Sequence, residues 1–558
     1  LRISCIQHFK MAKKLPDIKR PSIFDISQEM TKVQTLREDF DPYAVANNLM
    51  EMDQLPNKVL LHIFSHLSHK EILKSARVCK KWRTLAYDSR LWKRVCLRPV
   101  YGGLQLLNLY FKNNAKWEML ILEYSWVSSM EALLALISAR FGPSLTLMEL
   151  QTDQITAPVL HELATKCPNL QYLTLDFSSA TQLHDFADLQ AFPARLHSLT
   201  ICLSENIFLE GFLRKIYSFI GTVEVLHVIG TFEKWEEDEE EVYETINISK
   251  LKSHTPNLRV LNLWGIPFVT DEHIESISSS LPHLECLSVN FCQAVNGSSL
   301  KSLLQRCKRL RSLHMEQTTL DSKAVMNACW DNSVIEELNI AATDISSECL
   351  IYLLSRLSNL RWLRAAVLEH FTDKVLEEWI QSGNCSKLTA LDLDNCDSLS
   401  EQSLIEFLNI YGEQLLGLNL GGNEKLLEQF WVSSLPKLSH LQILIMGIVE
   451  DCCPKVTAKI HIDQVIDCIS QNIAKIKVLE IRWDSDKLRF SDKSSKFIDL
   501  LRMKCLQLQS LVIADGEYCE VVRSNFERAD RGSVVRSSTH CQSTLAPLLA
   551  YFNDLMFN

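Results

Sequence analysis

The sequence predicts an α/β fold: a curved, right-handed solenoid with parallel strands lining the inside and return helices covering the outside, preceded by three short helices. Three observations carry this expectation. An apolar triplet recurs fifteen times, often at a step near 26 residues. Each copy has the alternation of a short strand, and several are followed by apolar residues at helical spacing. Ahead of the first copies, residues 55–92 break the period and pattern as helices.

Composition bounds the remaining possibilities. Of 558 residues, 47% are apolar and 23% charged, with glycine at 16 positions and proline at 15, so collagenous and largely disordered classes are excluded. A net charge of -10 argues against nucleic acid as a partner. The greasiest stretch, residues 440–449, is too short to cross a bilayer, so no membrane partner is expected. Eighteen cysteines contain no Cys-x-x-Cys pair, and the only close couple is Cys452–Cys453. Reduced thiols in a soluble cytoplasmic or nuclear protein are therefore expected, rather than a zinc cage or a disulfide scaffold. Position 1 is leucine and the first methionine is Met11. Residues 1–50 read as a mostly disordered, solvated tail whose basic residues lack the apolar stripe of a targeting helix.

The triplet follows one template: an apolar residue, a second three places on and a third two places after that. Strong copies stand at Leu170/Leu173/Leu175, Leu196/Leu199/Ile201, Leu258/Leu261/Leu263, Leu284/Leu287/Val289, Leu310/Leu313/Met315 and Ile335/Leu338/Ile340. They continue at Leu388/Leu391/Leu393, Leu415/Leu418/Leu420 and Leu508/Leu511/Ile513, with weaker copies starting at Trp117, Leu145, Val223, Leu360, Leu441 and Ile476. In Leu261-Asn-Leu263 alternation places both leucines on one face and Asn262 on the other. Thr270-Asp271-Glu272 then supplies a cap and an acidic first turn, Ile274, Ile277 and Leu281 recur at helical spacing, and Pro282 ends the helix. Thr372-Asp373 repeats the device. One unit cannot shield its own leucines, whereas stacked units can, each buried leucine contributing about 1.5 to 3 kcal/mol. Strands pair about 4.8 Å apart while helices need about 8 to 10 Å, so the stack curves with its strands inside.

These residues resemble the leucine-rich repeat family, and in particular its cysteine-containing branch. Cys167, Cys307, Cys385 and Cys505 each precede the first leucine of a copy by three residues, while Cys292 and Cys396 follow the last strand residue by three. The thiols are expected to fill packing slots rather than to bind metal or react. The repeat array is assigned to residues 92–520 and a C-terminal cap to 521–558, because open solenoid ends would expose leucines.

In the helical segment, Leu55-Pro56 opens a helix striped by Val59, Leu60, Ile63, Phe64 and Leu67. Ser68-His-Lys-Glu71 reads as a capping box for a second helix carrying Ile72, Leu73 and Ala76, and Val78, Trp82, Leu85 and Ala86 mark a third. Three such helices cannot bury this much apolar surface among themselves, so a partner is implied. Residues 51–92 resemble an F-box, the adaptor-binding module of cullin-based ubiquitin ligases, on Leu55-Pro56, Ile63-Phe64, Leu67, Val78-Cys79, Lys81-Trp82, Leu85-Ala86 and Leu91-Trp92. Lys58 departs from the acidic residue frequent in that family. The resemblance implies that Leu55, Pro56, Val59, Ile63, Phe64, Leu67, Leu73, Val78 and Trp82 contribute to the surface that packs on the Skp adaptor, and through it recruit a cullin. Trp92-x-x-Val95-x-Leu97 fits the strand template, so the module should run into the first strand without a flexible linker.

No catalytic constellation, metal cluster or cofactor motif emerges. His62, His66 and His69 share a helix face without a carboxylate or cysteine in register. Gly421-Gly422-Asn423 lacks the rest of a phosphate-binding fingerprint and reads as a turn. Recognition residues are expected on the strand side chains that point away from the leucines: Trp264, Asn290, His314, Glu316, Asn339, Trp362, Arg364, Asp392 and Asp394. Of these, Trp264, Trp362 and Arg364 are expected to act as exposed hot spots for a protein substrate, the alternative being that neighbouring loops cover the tryptophans. Two insertions stand out, the acidic run 233–241 and residues 447–475, and the closing segment 544–557 is apolar enough to require burial. The resemblance implies a non-catalytic substrate receptor of a Skp–cullin–F-box ligase that marks proteins for proteasomal degradation. The alternative is an interaction scaffold whose first helices cap the solenoid or bind the adaptor without a cullin; an enzyme on a horseshoe scaffold has no supporting cluster.

Overall fold

The structure is a computed structural model, and it describes residues 55–67, 69–97, 117–123, 130–151, 155–178, 186–203, 209–230, 254–448, 459–526, 534–538 and 545. The amino-terminal tail, Ser68 of the expected capping box, the acidic run 233–241, the Cys452–Cys453 couple and all of the closing segment except Leu545 lie outside the described residues. These fall into two units dividing between Leu226 and His227, inside the stretch expected from sequence to be one array.

The first unit opens with α1 (Asn57–Ser65), α2 (His69–Ser75) and α3 (Lys80–Ala86). A 3-10 turn, Ser89–Trp92, follows, and only Lys93 separates it from β1 (Arg94–Leu97). Thereafter come β2 (Met119–Glu123), α4 (Met130–Phe141), β3 (Leu147–Gln151), α5 (Ala157–Lys166), β4 (Tyr172–Asp176), β5 (Ser198–Cys202) and α6 (Leu209–Ile216), with β6 (Val225–Ile229) crossing the division. Strands β1 to β5 pair in parallel, each with the next, and the register aligns Leu120, Met148, Leu173 and Leu199 in one buried row. That row is the middle residue of the repeated triplet. A one-residue slip would move it to the other face, so burial fixes the pairing.

The second unit repeats the arrangement with shorter strands. It comprises β7 (Val260–Asn262), α7 (Asp271–Ser280), β8 (Cys286–Ser288), α8 (Leu300–Arg306), β9 (Ser312–His314), α9 (Ser322–Met326), β10 (Glu337–Asn339) and α10 (Ser347–Leu354). It continues through β11 (Trp362–Arg364), α11 (Asp373–Ser382), β12 (Ala390–Asp392), α12 (Glu401–Tyr411), β13 (Gly417–Asn419), α13 (Glu428–Ser434) and β14 (Ile443–Met446). The last part holds β15 (Ile460–His461), α14 (Ile462–Asn472), β16 (Val478–Ile481), β17 (Leu488–Arg489), α15 (Ser494–Lys504), β18 (Ser510–Ile513), α16 (Glu517–Phe526) and β19 (Val535–Ser537). The middle leucines from Leu261 to Leu511 again form one aligned, buried row, while β15, within the insertion 447–475, pairs separately with β17. Strand β19 pairs in parallel with β18 and extends the array past residue 520 into the stretch assigned from sequence to a cap.

A backbone device locks successive repeats of the second unit. The residue seven places after the first apolar residue of a copy takes a left-handed conformation at Gly265, Phe291, Gln317, Ala342, Val367, Asn395 and Gly422, with φ between 52° and 73°. Five of the seven carry side chains, which this conformation disfavours by about 1 to 2 kcal/mol each. The offset is visible: each of these N–H groups donates to a carbonyl of the following repeat, at 2.7 Å from Val367 to Asp394 and 2.9 Å from Gly422 to Gly447. The glycine pair near residue 421 is thus part of this turn series.

The cysteines serve the same stacking. Cys292 Sγ donates to Leu263 O at 3.0 Å and Cys396 Sγ to Ala365 O at 3.1 Å, each reaching the preceding repeat. Burial pushes both thiols up to about 12. Cys167, Cys307 and Cys505 each follow the last residue of a helix and close it by donating N–H to the carbonyl four residues back. Asp271 stands in the first turn behind the Thr270 cap, as expected, and has a second role. Its carboxylate reaches the next repeat and accepts from Asn296 N at 2.7 Å, Ser299 N at 3.0 Å and Ser299 Oγ at 2.6 Å. Asp373 does the same with Ser400 N at 2.7 Å and Ser403 Oγ at 2.5 Å.

Candidate functional site: a helical docking face and an inner strand wall

The apolar stripe of α1 divides. Leu60, Leu61 and Phe64 turn inward with Ile72, Ala76, Leu85 and Ala86. Phe64 meets Trp82 edge to face, their ring centroids 5.3 Å apart. The fold is tied by Lys81 Nζ donating to Leu55 O at 2.9 Å and by the buried Trp92 Nε1 donating to Ala86 O at 2.8 Å. Tertiary packing therefore uses Phe64, and of the residues expected at the adaptor surface it is the one fully enclosed. Val78 remains 64% exposed and Val59 42% exposed. Pro56 is also exposed, while Leu55, Ile63, Leu67, Leu73 and Trp82 are half-buried. These residues give the small module an apolar surface its own core does not use. His62 and His66 pack ring to ring at 4.8 Å, and no group of three or more His, Cys, Asp or Glu residues is placed to hold a metal among the described residues.

On the inner wall, the residues two, four and six places after the first apolar residue of each copy point away from the leucine core. Of the expected recognition residues the structure brings Glu316, Arg364, Asp392 and Asp394 into neighbouring ion pairs. Arg364 Nη2 donates to Glu316 Oε1 at 3.1 Å and Nη1 to Asp392 Oδ2 at 2.8 Å. Asn339 Nδ2 donates to Glu316 Oε2 at 3.0 Å and Asn419 Nδ2 to Asp392 Oδ1 at 2.9 Å. Burial opposes the charge on Arg364, but Glu316, Asp392 and Asp394 outweigh it and hold the guanidinium above its ordinary range. Burial also pushes the Asp392 carboxyl up, against the pull of Arg364.

His314 lies on the same wall, its ring stacked on Trp362 at 5.4 Å with 19° between planes and its Nε2 2.8 Å from Ser312 Oγ. Ser312 Oγ in turn donates to the buried Glu337 at 2.9 Å. Asn290 accepts from Glu316 N at 2.8 Å through its side-chain oxygen. Trp264 packs on Phe291 with ring centroids 4.9 Å apart.

The expectation of exposed tryptophans is corrected by this geometry. Trp362 is 1% exposed and Trp264 7%, because neighbouring side chains cover the inner wall at both. Arg364 is mostly enclosed by its carboxylates rather than presented to solvent. Trp362 packs with Ala390 and with Leu545, a residue from outside every repeat, and Ile443 lies against the same cluster.

Sequence reasoning also missed Glu480 and Arg482. Arg482 Nη1 donates to Asp394 at 2.8 and 2.9 Å, and its Nε donates to Glu480 Oε1 at 2.7 Å. Both residues occupy inner positions of the copy beginning at Ile476, so the repeat template itself was the signal. Ala390, Gly417 and Ile443 carried none, since small and aliphatic residues read as filler.

The helices and the repeat array define a leucine-rich repeat architecture headed by a three-helix module. Residues 52–98 match the F-box-like family. The chain is 24% identical over 308 residues to F-box/LRR-repeat protein 12 of Mus musculus, covering 53% of this chain and 84% of that protein. Over 54 residues it is 43% identical to F-box only protein 6 of Bos taurus, which is 10% of this chain and 20% of that one. A solved structure of the Rad7 and Elc1 complex in yeast overlaps 81% of this chain and 94% of that chain at 15% identity and a TM-score of 0.41. The chain carries an F-box-like module and is similar to F-box/leucine-rich repeat proteins, and an F-box implies binding to a Skp-type adaptor.

Proposed function

We propose that this chain is the substrate-recognition subunit of a Skp–cullin–F-box ubiquitin ligase. The F-box holds the adaptor and through it the cullin, and the inner wall and loops of the repeats bind the protein to be ubiquitinated for degradation. The observation that carries the reading is the apolar face left by the three helices. Val59 and Val78 stand open while Leu60, Leu61 and Phe64 complete the internal core, so the face is available without unfolding the module. The chain acts without catalysing transfer: holding a substrate near activated ubiquitin raises the rate by proximity. The single residue between the helical turn and β1 keeps the module continuous with the first strand.

The test is recovery of adaptor and cullin with tagged full-length chain. Wild type is expected to recover both. Val78→Asp and the Leu55→Ala/Pro56→Ala pair are expected to lose both while retaining the wild-type circular dichroism spectrum. Wild type recovering the adaptor without a cullin would instead establish the adaptor-binding scaffold, and recovering neither would refute the ligase role and leave the helices a cap on the solenoid.

A further inference from the structure

The first inner-facing positions of β11 to β14 are Trp362, Ala390, Gly417 and Ile443, and the strand register places them side by side in that order. Side-chain size falls from tryptophan through alanine to glycine and rises again at isoleucine. The wall therefore has a notch two strands wide, closed at one end by an indole and at the other by an aliphatic side chain. Leu545 sits in it, 3% exposed. A Cβ added to Gly417 would stand 3.1 Å from Leu545 Cδ2 and 3.6 Å from Cδ1, so the space a side chain would take at 417 is the space Leu545 occupies. Gly417 lies in a strand with no left-handed backbone, hence its smallness serves the notch rather than a turn. At one margin of this row stand Arg364 and Asp392, joined at 2.8 Å.

We infer that this notch is an acceptor for one aliphatic side chain of an extended peptide. Leu545 is its internal ligand, which a peptide offering the same side chain in trans displaces. The inference rests on the reading of the inner wall as the protein-binding face and names the chemistry that face accepts. Nothing covalent links Leu545 to the notch. One buried leucine shifts an equilibrium by roughly ten- to a hundredfold, which a competitor with an equivalent side chain can match. The wall thereby explains why Trp362 is covered: its indole forms the end of an occupied acceptor. The Leu545 side chain and the equivalent side chain of a partner's peptide are mutually exclusive occupants.

The test uses the full chain and a fluorescent peptide spanning residues 540–550 of this sequence, with binding read by anisotropy. The Leu545→Ala chain is expected to bind the peptide at least about tenfold more tightly than wild type. The gain is expected to vanish when the peptide carries Leu545→Ala, and again when the notch is filled by Gly417→Val. Ala390→Leu is a second filler should the first alter the melting transition. Equal binding by wild-type and Leu545→Ala chains, binding by neither, or a gain that survives both fillers would overturn the proposal and leave Leu545 a packing residue. Adaptor recovery is measured on the same preparations. Its loss with competition intact would refute the ligase reading alone.

Discussion

The helical module and the inner wall of the second unit both display residues suited to a partner, yet they do so in opposite states. The module leaves Val59 and Val78 open beside a core completed by Phe64. On the wall, Trp362 is covered and a leucine from elsewhere in the chain lies against it. A small helical module cannot hide its surplus apolar surface, so that surface is visible as exposure. A repeat array has spare chain with which to cover its own. Exposure is therefore a good guide to the first kind of surface and a poor guide to the second.

The largest test of this contrast lies within the module. Phe64→Ala should destabilise the chain by about 3 to 5 kcal/mol through loss of a buried ring, whereas Val78→Ala should change stability by less than about 0.5 kcal/mol. Urea unfolding of the two variants checks this, and similar costs would mean that Val78 belongs to the core. On the wall, Arg364→Ala should cost about 3 kcal/mol, because it leaves the fully buried Asp392 carboxylate without its guanidinium partner. A cost near zero would show that pairing to be solvated in solution.

The smallest effect has the opposite sign. Val367 is 42% exposed and holds a φ of 57°. Val367→Gly should raise stability by about 0.5 to 1 kcal/mol, the relief of a left-handed β-branched residue exceeding the added freedom of the unfolded glycine. A loss on thermal melting would mean that the valine side chain contributes packing that its exposure conceals.

Much of the fold was legible because burial imposes periodicity. The leucines from Leu261 to Leu511 must fall in one row, and their spacing records it. Even the weak copies at Leu360, Leu441 and Ile476 form strands. The division at residue 226 falls just ahead of the acidic insertion 233–241, in a stretch read as one array, and β19 lies beyond the last recognisable triplet. The inner wall was legible in direction but not in exposure. Alternation placed Trp362, Arg364 and Asp392 on the face away from the leucines, but it cannot say what lies over them. Arg482 pairs with Asp394 across 88 positions of sequence, and Leu545 joins the wall from a segment with no period. Contacts of that range depend on how repeats stack, which no local pattern encodes. The role of Asp271 was read only in part for a related reason: its place in a first helical turn is local and legible, whereas its bonds to Asn296 and Ser299 belong to the neighbouring repeat.

The left-handed turns that tie each repeat to the next use main-chain donors and acceptors, as where Val367 N meets Asp394 O. Spacing along the array is thereby largely decoupled from the identity of the groups lining its interior. Such an architecture can be re-specified by exchanging lining residues wholesale, as one changes type in a fixed press. Grafting the tryptophan–alanine–glycine–isoleucine sequence of neighbours onto another array of the same step should carry its ligand preference along with it.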